Sequence, residues 1–572
     1  MKKILLLSIL IGFLSSCMDI LDKTPLDEIT EKTYWTSTTD LELYLNQFYT
    51  VFRGSVNYHT LDNGTDNLQT VAINTRLNGT RSIPATGGGW NWTNVRKINY
   101  FLENAVKVSE GIKADLNHYL GEGYFFRAYF YFDLLKQFGA LPWYDKVLSI
   151  ESEELYAERE PRNIIVDHIV ADLNKAIPLL QTRTRFGTNR LSKEAALLFK
   201  SRVCLYEGTW EKYHAGTEFG VPGSDGKNYL SMAEEAALIL INDGGLTLYS
   251  KGNPEEDYYK LFSHDDLKGV SEAIMYEAVD PKVQLGSWTW TYLNGTRGNA
   301  TGITKSMIES YLSKDGLPFA NSSLYKGDTT LTQVVENRDP RLRQSIWVPG
   351  MVQVNTNPPL VFSAPPLQKG GSDMATTGYM IRKGSTTDPN QNTGSSTDNY
   401  GSVDGMVFRY AEALLNYAEA KAELGTLNQT DLDKSINKLR ERVGMPGLSL
   451  NVGFVDPNWE FPGLSPIINE IRRERKVEMA FEGYRLDDLM RWAASGLIKG
   501  KRPKGARFIL GKSFPQIENQ IKNITVDENR YIDRYKNSLP NGYGFDEKRD
   551  YLSPIPTNEL VLNPNLGKNP GW

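Results

Sequence analysis

Apolar residues recur at helical spacing over most of positions 39–244 and again beyond position 403. A first helix is predicted over about 39–52 and a second over 94–108. The stretch HYLGEGYFFRAYFYFDLLKQFG carries Phe125, Phe126, Tyr129, Phe132, Leu135 and Phe138 nearly all round, which predicts a buried helix stopped by Gly139 and Pro142. Further helices are expected over 163–180, from an N-cap at Ser192 to 206, and over 228–242, ended by Gly244-Gly245. Beyond the middle, VFRYAEALLNYAEAKAELG predicts a helix over 407–425, and DLDKSINKLRERVG one over 431–444. Ser465 followed by Pro466 opens a last one that is expected to run to about Ala494. Paired helices with small residues at Ala411, Ala418 and Ala422 are the pattern of a helical-hairpin solenoid, although no constant period runs through them.

Residues 54–93 and 245–402 break this rhythm. Gly, Pro, Asn, Ser and Thr are dense there and apolar runs are short, so turns, short strands and long loops are expected. The reading is mainly α: helix pairs over about 39–53, 94–244 and 403–495, with a large irregular insertion between them.

Two aromatic stretches stand in these irregular regions. Trp288, Trp290 and Tyr292 alternate in SWTWTYLNGTRG, and Trp90 and Trp92 in GGGWNW, each near a copy of LNGTR. In an extended chain such residues share one face. They form either a local core or a platform on which a flat ligand stacks, and the flanking Gly, Asn, Ser and Thr offer little for a core to pack on. Polar companions are Asp66, Asn67, Arg81, Asn294 and Arg297, each a turn-forming residue by default.

Composition narrows the function. The chain has 572 residues, 40% hydrophobic and 23% charged, with a net charge of −5 and no basic run, which argues against nucleic acid. MKKILLLSILIGFLSSC has the layout of a secretory signal, and Leu14-Ser15-Ser16-Cys17 matches a lipobox. The expectation is cleavage before Cys17 and acylation of that residue, an anchor to a membrane rather than a span across it. Loss of residues 1–16 removes Lys2 and Lys3, taking the formal charge from −5 to −7. The only other cysteine is Cys204, so no disulfide is expected.

Catalytic and metal motifs are missing. His59, His118, His168, His214 and His264 never fall within five positions of each other, there is no CxxC, and no GxSxG elbow occurs. GARFILGKS at 505–513 has one residue too many between its glycines for a phosphate loop. The charged run EIRRERKVEMAFEGYR reads as a face of intrahelical salt bridges built from Glu470, Glu474, Glu478 and Glu482 with Arg472, Arg473, Arg475 and Lys476.

FRYAEALLNYAEAKAELG, INEIRRERKVEMAFEGYRLDDLMRW and YLSPIPTNELVLNPNLGKNPGW each resemble signature blocks of the SusD/RagB family. GEGYFFRAYFYFDLLKQFGALPW resembles a fourth block, and the lipobox with CMDILDKTPLDEITEKTYW resembles the family's N-terminus. Asp19 and Asp22 fit the acidic export signals of such lipoproteins. The resemblance implies an outer-membrane, surface-exposed lipoprotein on tetratricopeptide-type helix pairs. It implies a nutrient receptor, not an enzyme, that needs no cofactor or metal. Such a protein captures a polysaccharide or oligosaccharide and hands it to a SusC-like TonB-dependent transporter. A peptide receptor for such a transporter is the alternative, and a surface glycoside hydrolase the remote one. The family sets its ligand surface on loops of the early and middle regions, which makes the two aromatic stretches the candidate contacts.

Overall fold

The computed structural model describes residues 34–108, 111–280, 282, 295–391 and 401–572. The expected signal peptide with Cys17, and the candidate residues Trp288, Trp290, Tyr292 and Asn294, lie outside these described residues. Helix makes up 41% and strand 7%, so the fold is mainly α.

Helix α1 (Thr38–Asn46) is opened by a reciprocal Ser37–Asp40 capping box and tightens into a 3₁₀ turn to Phe52. There follow α2 (Thr93–Ala105), α3 (Lys113–Phe138), α4 (Arg162–Leu179), α5 (Lys193–Tyr213) and α6 (Lys227–Asp243). The stop signals work as expected: Gly139 caps α3 at φ +72°, and Ser192 Oγ accepts the Ala195 N–H at the start of α5. The pairs α3–α4 and α5–α6 pack along their lengths, and α7 (Tyr410–Leu424) packs on α6. The α5–α6 turn closes tightly because Gly226, at φ +74°, lies where a Cβ would overlap the Gly208 carbonyl. The six apolar residues singled out in α3, Phe125, Phe126, Tyr129, Phe132, Leu135 and Phe138, are buried or partly buried between α1, α2, α4 and α5.

Three expected helices are shorter than their patterns. Residues 407–409 belong to strand β6 (Gly405–Arg409), and the helix begins only at Tyr410. The 431–444 stretch is two helices, α8 (Gln429–Lys434) and α9 (Ile436–Arg442), parted at Ser435. The last one stops at Glu478 (α10, Pro466–Glu478) and resumes as α11 (Arg485–Arg491). Between them Phe481 and Gly483 take φ of +66° and +85°, and both donate their N–H to the buried Asp62 carboxylate at 3.0 Å. A tertiary acceptor therefore overrides a local helical pattern.

The irregular region supplies three small antiparallel pairs: β1 (Leu68–Thr70) with β3 (Thr301–Ile303), β2 (Ala273–Glu277) with β6, and β4 (Val352–Val354) with β5 (Leu360–Val361). A second apolar core gathers around them, with Tyr58, Leu68, Tyr258, Ile303, Trp347, Tyr379 and Phe481. Helix α10 stands between this core and the helical one.

The charges of α10 do not form the expected face of intrahelical salt bridges. Glu470, Glu474 and Glu478 are buried, and within the helix only Glu470–Arg473 pairs among the described residues, at 3.2 Å. The rest reach across elements. Glu478 receives Arg442 at 2.6 Å, Arg409 at 2.7 Å and Arg341 at 2.9 Å, and these cations hold its carboxyl far below the usual range despite burial. Arg409 also meets Glu272 and Glu482, which binds Lys383. This seam ties the helical body to the loop-rich one.

Candidate ligand-binding face

A groove of 540 Å³ opens beside the β1–β3 pair. Val71 continues β1 and donates its N–H to Ala300 O at 3.0 Å, while Thr376 donates to Thr301 O at 3.1 Å, so both walls hang on that pair. The apolar lining is Val71, Ile73, Leu367 and the buried Tyr535, whose hydroxyl donates to Thr70 O at 2.6 Å. Asn523, Thr525, Arg534 and Ser538 line the other side. Their side chains have no hydrogen-bond or ion-pair partner among the described residues. The groove thus presents one guanidinium, one amide and two hydroxyls to whatever enters it, over an apolar floor. That combination suits a neutral, hydroxyl-rich ligand.

The residues singled out in the sequence divide sharply. Arg297 lies near this face, pairing with Asp373 at 2.6 Å in the loop that leads to Thr376. The others are structural. Asn67 is 1% exposed and donates to Asp62 Oδ2 at 2.8 Å, so its amide cannot meet a ligand. Asp66 is held by Arg485 at 2.7 Å and Lys476 at 3.3 Å, and those two cations depress its carboxyl strongly against the opposing effect of burial. Arg81 ties the loop to the C-terminal segment through Asp550 at 3.1 Å and lies over the Trp572 ring at 5.1 Å.

Trp90 and Trp92 do not make a flat platform. Trp92 stands at the N-cap of α2 (φ −99°, ψ 3°), so the chain is turning there and the same-face rule for extended chain fails. The two rings meet edge to face at 78°, and Trp90 is 8% exposed with its ring against Phe138 at 4.9 Å. Trp92 and Tyr144 instead help wall a separate crevice of 510 Å³ between α2, the 144–156 loop and the C-terminal segment. Its amides are committed: Asn99 donates to Tyr144 O and Lys146 O, and Asn563 to Leu155 O and Ala157 O.

Among the described residues no group of three His, Cys, Asp or Glu side chains is placed to hold a metal ion. The 505–513 loop is not a phosphate cradle either, since the Gly511 N–H is taken by Glu518 Oε2 at 2.7 Å and Ser513 Oγ donates to Thr329 O at 2.6 Å.

A helical body is welded to a loop-rich face with an open polar groove. Comparison gives the family. Residues 271–572 match the SusD family model, and residues 26–205 match a model described as starch-binding associating with outer membrane. The chain belongs to the SusD family. It is 25% identical over 597 residues to SusD-like protein P2 of Formosa agariphila, covering 100% of this chain and 98% of that one. The fold matches a SusD-like carbohydrate binding protein of Bacteroides fragilis with a TM-score of 0.72 at 22% identity, covering 94% and 100% of the two chains. It also matches a crystal structure with xylogluco-oligosaccharide at a TM-score of 0.62 and 16% identity, covering 93% and 98%. At these identities the solved structures speak for the fold alone.

Proposed function

We propose that the protein binds a polysaccharide or oligosaccharide at the cell surface, anchored through acyl chains on Cys17, and passes it without chemical change to a partner SusC-like TonB-dependent transporter. The observation that carries the ligand side is the groove beside β1–β3, with four uncommitted polar side chains above an apolar floor. The Trp288–Tyr292 stretch, which precedes β3 in sequence, is the candidate source of aromatic rings that stack on sugar rings. Arg534 and Asn523 supply donors to sugar hydroxyls, and Arg297 with Asp373 continues the polar rim. The Bacteroides fragilis SusD-like carbohydrate binding protein and the protein solved with a xylogluco-oligosaccharide share the fold and favour the same ligand class.

Affinity electrophoresis against a panel of polysaccharides tests this, with Trp288→Ala and Arg534→Ala run beside the unaltered chain. At least one polysaccharide retards the protein, and both substitutions weaken the retardation. Binding of peptides with retention by no polysaccharide would overturn the sugar reading, and release of reducing ends by the pure protein would make it a hydrolase. Replacing Cys17 by Ala leaves a folded protein that no longer sediments with membranes.

A further inference from the structure

Three of the groove's four uncommitted polar side chains, Asn523, Thr525 and Ser538, both donate and accept, as the hydroxyls of a sugar do. Arg534 differs from them. Its guanidinium only donates, and it carries a permanent charge that a hydroxyl leaves uncompensated. Other arginines in the same part of the chain are already engaged. Arg502 pairs with Asp533 at 3.0 Å, Arg507 with Asp328 at 3.4 Å and Arg549 with Asp550 at 3.1 Å, while Arg530 donates to Phe508 O at 3.2 Å. Arg534 is only partly exposed, yet among the described residues it has no such partner.

The neighbouring carboxylate does not serve it, because Asp533 is buried and taken by Arg502 and Lys504. The backbone on either side is fixed. The Asp533 N–H donates to Thr525 O at 2.9 Å, and the Tyr535 hydroxyl donates to Thr70 O and Ala72 O. Among the described residues no Asp or Glu lines the groove. A partly buried cation without a counter-ion is costly, and a guanidinium fork fits a carboxylate or a tetrahedral oxyanion through two parallel hydrogen bonds.

We infer that the glycan taken by this groove, although hydroxyl-rich, bears an anionic group on the sugar unit that lies against Arg534, a uronate carboxylate or a sulfate ester. The inference rests on glycan binding at the groove and adds the class of sugar.

Affinity electrophoresis at one ionic strength tests it. The panel holds polygalacturonate, alginate, a glucuronate-bearing xylan and a sulfated galactan, each beside its carboxyl-reduced or desulfated form, together with uncharged polysaccharides. A net charge of −5 repels polyanions in general, so retention by one reports a specific site. The expected result is retention by at least one acidic member and about 10–100-fold weaker binding of its neutralised form. Whether a uronate or a sulfated pair shows the difference names the group. Arg534→Gln removes most of that difference. Equal binding of the two forms, retention by uncharged polysaccharides alone, or a difference that Arg534→Gln leaves intact each overturn the inference. Asn523→Ala then separates the two failures: it weakens retention where the groove is still the glycan site and leaves it unchanged where the groove is not. Retention by no polysaccharide overturns glycan binding and the inference together.

Discussion

The groove beside β1–β3 and the crevice at Trp92 have nearly the same volume, 540 and 510 Å³, and opposite chemistry. The crevice holds the aromatic residues that invite a stacking interpretation, yet its amides and guanidinium are bound to backbone and its mouth carries the exposed Leu155 and Leu562. The groove has a single tyrosine ring among the described residues and four polar side chains without partners. Composition alone would rank the crevice first for a sugar. What separates them is the state of their amide and guanidinium donors, because a donor already satisfied within the fold adds nothing to a ligand's affinity.

The comparison presumes that both clefts belong to one cooperative body, and the buried charge seam is where that can be broken. Glu478→Gln leaves Arg409, Arg442 and Arg341 facing a neutral amide in a buried site, at a cost of about 3–5 kcal/mol. Urea denaturation followed by tryptophan fluorescence and by far-ultraviolet dichroism should show one coincident transition at a lower midpoint. Two separate transitions would mean that the helical and loop-rich bodies fold independently.

Trp90→Ala sharpens the division between packing and binding. Its ring is buried on Phe138, so truncation costs about 3–5 kcal/mol, while retention on polysaccharide per folded molecule stays unchanged. Loss of retention at full folding would return Trp90 to the ligand surface. Arg534→Ala makes the opposite mark. A charged hydrogen bond contributes about 1.5–3 kcal/mol, so calorimetry should record a Kd raised by roughly 10–100-fold. The unfolding midpoint stays put, because no partner inside the fold is lost.

The helices were legible because their signals are local: Ser192 and Gly139 sit next to the segments they cap. The places where the sequence misled are those where a distant partner decides. Glu478 looks solvated beside its neighbouring arginines, but the cations that claim it include Arg341 and Arg409, 137 and 69 residues away. The chain bends at Phe481 because Asp62, 419 residues earlier, collects its amide. Trp90 and Trp92 were misjudged because their alternation implied extended chain where a helix begins. Asp66, Asn67 and Arg81 have the polar, turn-rich setting of a binding loop, and nothing near them in sequence reveals that Arg485, Asp62 and Asp550 hold them. The groove was invisible for the same reason. Val71 and Arg534 come from opposite ends of the chain, and Arg534, one of two arginines in NRYIDRYKNS, has no spacing to mark it.

The smallest effect concerns a buried carboxylate that holds the chain shortly before the aromatic stretch in sequence. Asp404 accepts the N–H of Leu267 at 2.9 Å and of Val279 at 2.8 Å, the latter near the start of the segment that carries Trp288. Burial, helped by Asp266 and Asp265, outweighs those two bonds and pushes its carboxyl up to about 6. The folded state therefore holds a proton more tightly than the unfolded chain, whose carboxyl titrates near 3.8. The stabilisation from that protonated carboxyl is fully present below about pH 4 and is lost as the pH rises through 6. In Asp404→Asn that slope flattens while the segment keeps an acceptor for only one of its two amides. Stability against pH from 4 to 7, measured by urea midpoint, should thus run flatter than in the unaltered protein, with a modest loss of polysaccharide retention. A slope unchanged between the two proteins would mean that another group carries the titration and that Asp404 is ionised throughout.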